Sequence, residues 1–308
     1  MTGTIQTQKM FFAMGTVNTI TVFEEAEEAL SAAKDCVKEL DRKLSAYSHD
    51  SEISVINRNA GVSPVAVSKE TFRLIKHSVM YSQLTDGCFD ITSRPLSQFW
   101  KNAMKCSELP DSGSIDSVRE LVNYRDIILD NASRTVMLRQ KGQQLDLGAI
   151  AKGYAADEVR KLLLSYGVKN AVINFGGTVV NIGEPRNIGI QKPFSPNGQT
   201  FAGITVPDGK AVVSSGLYEQ FHIIDGRLIH HIADVRTGLP SDSGLIAVTL
   251  IGDSAEELDA LATAAFIMGA KQSARLLKMQ NIEAVFITDK QEIYTTEKLR
   301  DELSLVKE

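Results

Sequence analysis

The sequence contains few cysteines, no long apolar segment and no excess of basic charge. Its three cysteines, Cys36, Cys88 and Cys106, have no close spacing, which excludes a disulfide framework and a zinc knuckle and favours a reducing compartment. No segment approaches the roughly 18 consecutive apolar residues of a membrane-spanning helix, and no internal repeat or low-complexity segment occurs. The formal net charge of -5 argues against a general nucleic-acid binder, but it leaves room for a local basic patch around an anionic ligand.

The composition that is present is that of a globular protein. With 308 residues, of which 43% are hydrophobic and 23% charged, the chain can bury a sizeable core in one large domain or two modest ones. Residues 1–14 contain one lysine and no apolar run long enough for a signal peptide, which predicts a cytoplasmic protein. A chain trimmed of its leader would have the same sequence.

Hydrophobic periodicity predicts helices and strands that are mixed without regular alternation. Predicted helices cover 24–44, 68–84, 114–123, 147–166, 254–268 and 271–279, and predicted strands cover 17–23, 126–129, 135–139, 171–175, 187–191, 201–206, 211–214, 220–224, 228–232, 245–251, 283–288 and 291–296. Residues 45–59 are predicted as a polar loop, and 95–114 as a connecting region with the only tryptophan, Trp100. This order favours an α+β fold, with mixed, mostly antiparallel sheets and packed helices, over a doubly wound fold.

The most informative pair of residues is Asp259 and Thr263, four residues apart in one predicted helix. Ser254 and Glu257 form a capping box at its start, and Gly269 stands where a C-terminal cap belongs. The pair lies among alanines, where a carboxylate is costly unless something pairs with it, and the helix itself contains no Lys or Arg. A hard cation held by one carboxylate and one hydroxyl oxygen fits this pattern. The alternative is an Asp favoured by the helix dipole beside an ordinary half-buried Thr.

A glycine-containing loop at residues 146–154 joins a predicted strand to a predicted helix. Free backbone N–H groups at such a helix start bind anions, and Lys152 adds a positive charge. The spacing is not that of a Walker loop. A tight turn with a surface lysine is an equally good interpretation of the same residues.

Two further glycine-containing loops are weaker candidates. In residues 85–92, Phe89 could flank a planar ring and Asp90 could hydrogen-bond one, but a turn followed by a strand is the simpler interpretation. Residues 214–218 could present backbone N–H groups to a ligand, or form only a loop.

The segment 230–238 begins with two adjacent histidines, which in a strand would point to opposite faces. They are therefore not expected to share one metal ion. His231, with Asp234, could supply acid–base or orienting chemistry. The alternative is a structural histidine that forms an ordinary hydrogen bond.

Taken together, these segments resemble the ApbE-type flavin transferases, which are FAD:protein FMN transferases. The resemblance covers about residues 12–290 and occurs in the family's order. It is found in residues 14–16, 45–47, 51–54, 85–92, 146–154, 174–177, 215–218, 230–238 and 259–263. The resemblance implies a single ApbE-like flavin transferase domain over residues 1–308, or two subdomains with the FAD site between them.

The resemblance also implies a magnesium-dependent reaction on FAD. The FMN moiety moves to a Thr or Ser hydroxyl of an acceptor protein through a phosphoester bond, and AMP is released. The implied partners are FAD and a flavin-acceptor protein or domain of a redox system, with no nucleic acid and no membrane span. An FAD pyrophosphatase that gives FMN and AMP, or a non-catalytic flavin-binding protein, would be the alternatives.

Site residues follow from the positions that match the family's motifs. The implied metal-binding positions are Asp259 and Thr263, with oxygens of Ala149 and Ala262 nearby. The implied FAD-contacting positions are Met14, Tyr47, Cys88, Phe89, Asp90, Asp146, Lys152 and Ile232. His231 matches a histidine expected to act in the transfer step, and Asp234 is expected to orient it.

Three positions depart from the family's pattern. Thr178 replaces the usual acidic residue after the paired glycines, and Val235 replaces a usual proline. Gln220 replaces a usual arginine, which removes a charge and could weaken an ion pair. None of the three belongs to the implied metal pair, so the departures bear on acceptor choice more than on the reaction.

Overall fold

The computed structural model of the protein describes residues 6–195, 199–217, 221–300 and 303–305. The helices are α1 (Glu27–Leu44), α2 (Glu52–Arg58), α3 (Lys69–Leu84), α4 (Arg94–Cys106), α5 (Ser112–Arg119), α6 (Ala151–Ser165), α7 (Ala255–Met268) and α8 (Ala270–Met279). The strands are β1 (Thr7–Ala13), β2 (Thr16–Val22), β3 (Val65–Ala66), β4 (Ile127–Asp130), β5 (Thr135–Leu138), β6 (Ala171–Phe175), β7 (Thr178–Ile182), β8 (Arg186–Gln191), β9 (Thr200–Val206), β10 (Ala211–Gly216), β11 (Phe221–Ile224), β12 (Arg227–His230), β13 (Leu245–Gly252), β14 (Glu283–Thr288), β15 (Ile293–Thr295) and β16 (Leu303–Leu305). None of the helices in these ranges is both long and apolar enough to cross a bilayer.

The main sheet has eight strands in the order β1-β2-β6-β7-β10-β13-β14-β15. Every neighbouring pair in it is antiparallel. Three small sheets have the orders β11-β12, β16-β9-β8 and β3-β5-β4. The predicted α+β class with mostly antiparallel sheets is therefore confirmed.

The main sheet is covered on both faces at its centre. All eight residues of β13 are buried, since α7 packs on one face and the small sheet β16-β9-β8 on the other. Val212 and Ile251 of the main sheet share an apolar cluster with Ile204 of that small sheet. A strand enclosed on both sides is apolar throughout, which is why its sequence shows no alternation.

Helix α7 is almost completely buried and carries the predicted metal pair. It begins as predicted, because the Ser254 side chain accepts a hydrogen bond from the backbone N–H of Glu257. It ends at Gly269, whose φ of 79° lies in the left-handed region that favours glycine. Since α6, α3 and the sheet enclose α7, each polar group on it needs a partner.

Two of the loop predictions are wrong. Residues 45–59 contain α2, which Ser51 caps by accepting a hydrogen bond from Ser54 N–H, and seven residues are too few to show a clear helical period. Residues 95–114 contain most of α4, where Leu96, Trp100 and Met104 recur every four residues. This apolar stripe packs on the β11–β12 hairpin, and Trp100 Nε1 donates a 2.7 Å hydrogen bond to the carbonyl of Gly238.

Four strands, β1, β3, β7 and β16, were not predicted. In β1 the exposed positions are also apolar, since Met10 and Phe12 face outward, and this hides the alternation typical of a half-buried strand. Strand β1 pairs with β2 through the two-residue turn Met14-Gly15, in which both residues have positive φ. That geometry is the type I′ turn of tight hairpins.

Candidate active site

A cavity of about 360 Å³ lies where the starts of α6 and α4, the middle of α7 and several loops meet. Of the fourteen predicted site residues, the cavity is lined by twelve: Met14, Tyr47, Cys88, Phe89, Asp90, Asp146, Ala149, Lys152, His231, Ile232, Asp259 and Thr263. Ala262 and Asp234 are not among its lining residues. Residues that lie far apart in the sequence therefore surround one space.

Asp259 lines the cavity and is 5% exposed. Its Oδ2 accepts a 3.0 Å hydrogen bond from the backbone N–H of Gly153, at the start of α6. A Cβ atom on Gly153 would lie 2.1 Å from the carbonyl oxygen of Ala255, so only glycine allows α6 and α7 to approach this closely. The Asp259 side chain is thus held by the backbone of α6 and not by a group on its own helix, α7.

A cation does lie beside Asp259, although α7 itself contains none. The Lys152 ammonium is 3.5 Å from Asp259 Oδ1 and donates a 2.8 Å hydrogen bond to the carbonyl of Gly148. A separation of 3.5 Å exceeds that of a normal hydrogen bond, so Oδ1 keeps capacity for a further ligand. Lys152 is therefore held at the cavity wall and is not a freely solvated surface lysine.

The oxygen donors at this wall fit a hard divalent ion. Thr263 lies one helical turn beyond Asp259 and lines the same cavity, and Ala149 lines it as part of the loop before α6. Ala262 is fully buried in α7, where its carbonyl is expected to accept the N–H of Phe266 in the regular helical pattern. In the described ranges no group of three or more His, Cys, Asp and Glu could hold a metal. An ion here would complete its shell with substrate and water oxygens, as Mg²⁺ usually does.

The loop before α6 is stabilised by Asp146. Its Oδ1 accepts a 2.9 Å hydrogen bond from Gly148 N–H, and its own N–H donates to the carbonyl of Ile91. Helix α6 begins at Ala151, four residues later than the sequence predicted, because residues 147–150 form this turn first. The turn directs the start of α6 toward the cavity.

A second part of the cavity wall is built around an exposed ring. Tyr47 is 68% exposed, and the Arg94 guanidinium lies 4.4 Å from the centre of its ring. Lys101 Nζ lies 3.4 Å from the Tyr47 hydroxyl, and Arg94 Nη1 lies 3.3 Å from Asp146 Oδ2. Arg94 and Lys101 thus form a local basic patch, which is compatible with the negative net charge of the whole chain.

Sequence reasoning missed the contribution of α4 to this wall. Ser93, Ser97 and Lys101 line the cavity at intervals of four residues, which places them on one face of α4. Because the segment was predicted as a connecting region, there was no reason to place these residues on one face. The spacing of Ser97 and Lys101 was the signal that could have found it.

The loop that carries Cys88, Phe89 and Asp90 is locked internally. The Asp90 Oδ1 accepts hydrogen bonds from the N–H and hydroxyl of Thr92, both at 2.7 Å, and Oδ2 accepts one from Tyr124 N–H at 2.8 Å. Burial raises the pKa of the Asp90 carboxyl, and burial also raises the pKa of the Cys88 thiol. Asp90 therefore shapes the loop that presents Phe89, and its contact with FAD stays a prediction.

The two histidines occupy different environments. His230 ends β12 and is 2% exposed, and its ring packs edge-on against Phe266 with centroids 5.8 Å apart. Its Nε2 lies 3.1 Å from the carbonyl of Ser241 and must donate to it, and burial lowers the pKa of this histidine. His230 is thus buried and His231 lines the cavity, which agrees with the prediction that the two side chains point to opposite faces.

Asp234 makes its described contacts with Arg236. The Arg236 side chain donates to both Asp234 oxygens, at 2.9 and 2.7 Å, and the Asp234 carbonyl closes a turn by accepting from Gly238 N–H. This pairing raises the pKa of the Arg236 guanidinium. An orienting role of Asp234 toward His231 stays a prediction.

The remaining wall comes from the ends of the central strands. Ser214, Ser215 and Gly216 at the end of β10 line the cavity, together with Gly176 between β6 and β7. Tyr218 and Gln220, which belong to the same sequence motif, lie outside the described residues.

Comparison with known sequences agrees with this placement of the motifs. The sequence profile of the ApbE family matches residues 14–286. An FAD:protein FMN transferase of Klebsiella pneumoniae (strain 342) is 35% identical over 281 residues, covering 91% of this chain and 88% of that protein. An FAD:protein FMN transferase of Treponema pallidum (strain Nichols) is 30% identical over 282 residues, covering 85% and 78%.

Solved structures show the same fold. The ApbE protein from Thermotoga maritima MSB8 superposes with a TM-score of 0.86 at 30% identity, covering 97% of this chain and 99% of that chain. The flavin transferase ApbE from Vibrio cholerae superposes with a TM-score of 0.84 at 25% identity, with the same coverage.

Proposed function

This chain belongs to the ApbE family, and from that premise we propose that it is an FAD:protein FMN transferase. It transfers the FMN moiety of FAD to a Thr or Ser hydroxyl of an acceptor flavoprotein, forms a phosphoester and releases AMP. One observation supports this most: the carboxylate of Asp259, the hydroxyl of Thr263 and the ammonium of Lys152 line one cavity. A carboxylate for a metal ion and a cation for phosphate are what a diphosphate substrate requires.

Asp259 and Thr263 would hold a magnesium ion, with backbone oxygens of Ala149 and Ala262 nearby. When bound, magnesium would neutralise charge on the diphosphate and stabilise AMP as the leaving group. Lys152 binds phosphoryl oxygens, because a cation at a helix start favours anions. Met14, Tyr47 and Phe89 contact the flavin part of FAD.

His231 is the proposed base of the transfer step. The acceptor hydroxyl oxygen attacks the FMN-side phosphorus, and the bond from that phosphorus to the AMP phosphate oxygen breaks. The hydroxyl proton goes to the neutral imidazole of His231, and AMP leaves with the bonding electron pair. If water takes the place of the acceptor, the same step gives free FMN and AMP.

The proposal is tested by incubating the protein with FAD and Mg²⁺, with and without a flavin-acceptor domain. We expect a fluorescent flavin band on the denatured acceptor, with one AMP released for each flavin attached. AMP release without a flavinylated acceptor would instead indicate an FAD pyrophosphatase. FAD binding without AMP release would indicate a non-catalytic flavin-binding protein.

A further inference from the structure

A second groove, of about 960 Å³, opens beside the cavity along the outer face of the β1–β2 hairpin. The cavity and the groove share Met14, Lys152 and Gly176. A segment lying in the groove would therefore reach the cavity at the ammonium of Lys152, where the proposed diphosphate site begins. The groove is continuous with the site of the proposed reaction.

Three residues that line the groove, Val17, Phe194 and Phe221, are exposed apolar side chains. Val17 lines the groove, and Phe12, its direct partner across the β1–β2 pair, projects from the same face beside it; they are 55% and 69% exposed. Phe194 and Phe221, both exposed, line the other side with their ring centroids 5.3 Å apart. Exposed apolar side chains grouped around one groove are a feature of binding sites.

Phe194 is also held in a costly backbone conformation. Its φ of 58° lies in the left-handed region, which is unusual for a bulky residue. Strain of this kind persists where the surrounding structure enforces it, and it clusters at functional sites.

The charge of the groove indicates the chemistry of its occupant. Among the described lining residues the only charged side chain is Lys152, at the junction with the cavity. Beyond that junction the described lining residues are apolar or neutral and polar, such as Val17 and Asn174. Desolvating a charged side chain against this surface would be costly.

We propose that this groove is the docking surface of the acceptor protein. It binds an extended, uncharged segment whose apolar side chains flank the acceptor Thr or Ser and pack on Val17, Phe194 and Phe221. The segment directs the hydroxyl past Met14 into the cavity. This inference rests on the proposed function, because only a transferase needs a polypeptide to enter.

The test places one charge in the groove, at Val17, and one beside it, at Phe12, without changing the cavity. The double variant Phe12→Lys/Val17→Lys alters two exposed side chains, and Leu164→Lys, an exposed apolar residue at the far end of α6, is the matched control. The probe is a flavin-acceptor domain that the wild-type protein flavinylates. We measure kcat and the acceptor KM by in-gel flavin fluorescence, and the Kd for FAD by flavin fluorescence in solution.

We expect the double variant to raise the acceptor KM about tenfold or more, while kcat, the FAD Kd and the control variant stay unchanged. An unchanged acceptor KM would overturn the proposal, and a weakened FAD Kd would assign the groove to FAD instead. Hydrogen exchange gives a readout without substitution in the groove: adding the acceptor domain should slow amide exchange in residues 7–19, and unaltered exchange would also overturn it. If the wild type binds FAD but flavinylates no acceptor domain, the proposed function fails and this inference fails with it.

Discussion

The two walls of the cavity differ in how their residues are fixed. On the α6–α7 wall, the Asp259 carboxylate is buried and bound by the backbone of Gly153. On the second wall, Tyr47 is exposed and is contacted by the long side chains of Arg94 and Lys101. Groups that stabilise charge in a transition state act best when they are fixed beforehand. Groups that contact an incoming flavin ring or protein partner must be accessible. The burial of Asp259 and the exposure of Tyr47 therefore match the two proposed roles.

The largest effect is expected from Asp259→Asn, which removes the charge of the fixed wall but keeps an oxygen for Gly153 N–H. Since a bound metal contributes several kcal/mol to such a transition state, AMP release should fall by about 10⁴-fold, with little change in the melting temperature. Asp259→Ala should also lower the free energy of unfolding by about 1–3 kcal/mol, because it leaves a buried N–H unpaired. Near-normal AMP release by Asp259→Asn at saturating Mg²⁺ would contradict the metal assignment.

A second large effect separates the adjacent histidines. His231→Asn should reduce single-turnover flavinylation by about 10²- to 10⁴-fold without weakening FAD binding, because the proposed general base is lost. His230→Asn should affect the rate much less. Equal losses in the two variants, or weaker FAD binding in His231→Asn, would mean that His231 is a structural or binding residue.

Lys152→Ala should weaken binding more than chemistry. Loss of a charged hydrogen bond to phosphate should raise the FAD KM about tenfold and lower kcat by less. Lys161→Ala, on the same helix but distant from the cavity and largely exposed, is the matched control. Steady-state AMP release across an FAD titration measures KM and kcat. Identical values for the wild type and Lys152→Ala would show that Lys152 does not bind phosphate.

Burial of His230 predicts a pH dependence of stability. Because burial lowers the pKa of His230 below its usual value of 6.5, the unfolded chain binds this proton more readily as the pH falls. Stability is thus present above pH 6.5 and declines below it, by about 1.4 kcal/mol for each unit between the two pKa values. Urea unfolding from about pH 5 to 7.5 should show this decline in the wild type and a smaller one in His230→Asn. Parallel pH profiles for the two proteins would contradict it.

The smallest effect should come from the exposed wall. Tyr47→Phe should change FAD affinity little, whereas Tyr47→Ala should weaken it by about three- to tenfold, as expected for loss of one ring contact. Neither variant should change the melting temperature, because the side chain is exposed. Flavin fluorescence titration and thermal unfolding measure the two quantities. A large loss of stability in Tyr47→Ala would show that the two walls are not as different as their exposure indicates.

The sequence predicted the α6–α7 wall better than the wall formed by Tyr47, Arg94 and Lys101. The capping box at Ser254 and the spacing of Asp259 and Thr263 are local patterns, and the structure places both on one buried helix. What could not be predicted is contact between segments that are distant in the chain. Lys152 meets Asp259 across 107 positions, and Tyr47 meets Asp146 across 99, and no local period contains either pairing.

Helix α4 shows the other reason for missed residues. Its apolar stripe of Leu96, Trp100 and Met104 is interrupted by polar side chains that line the cavity, so the segment looked irregular in the sequence. Functional residues on a helix weaken the pattern by which the helix is recognised. The single-domain organisation predicted for residues 1–308 stays a prediction.

The close approach of α6 and α7 at Gly153 couples metal binding at the proposed site to the folding of the chain. The carboxylate proposed to bind the metal is the same group that joins the two helices, so the folded chain presents a site that the unfolded chain lacks. Ligands that bind only the folded state stabilise it in proportion to the logarithm of their concentration above Kd. The melting temperature should therefore report metal binding at Asp259 directly, even in a sample that contains neither FAD nor acceptor.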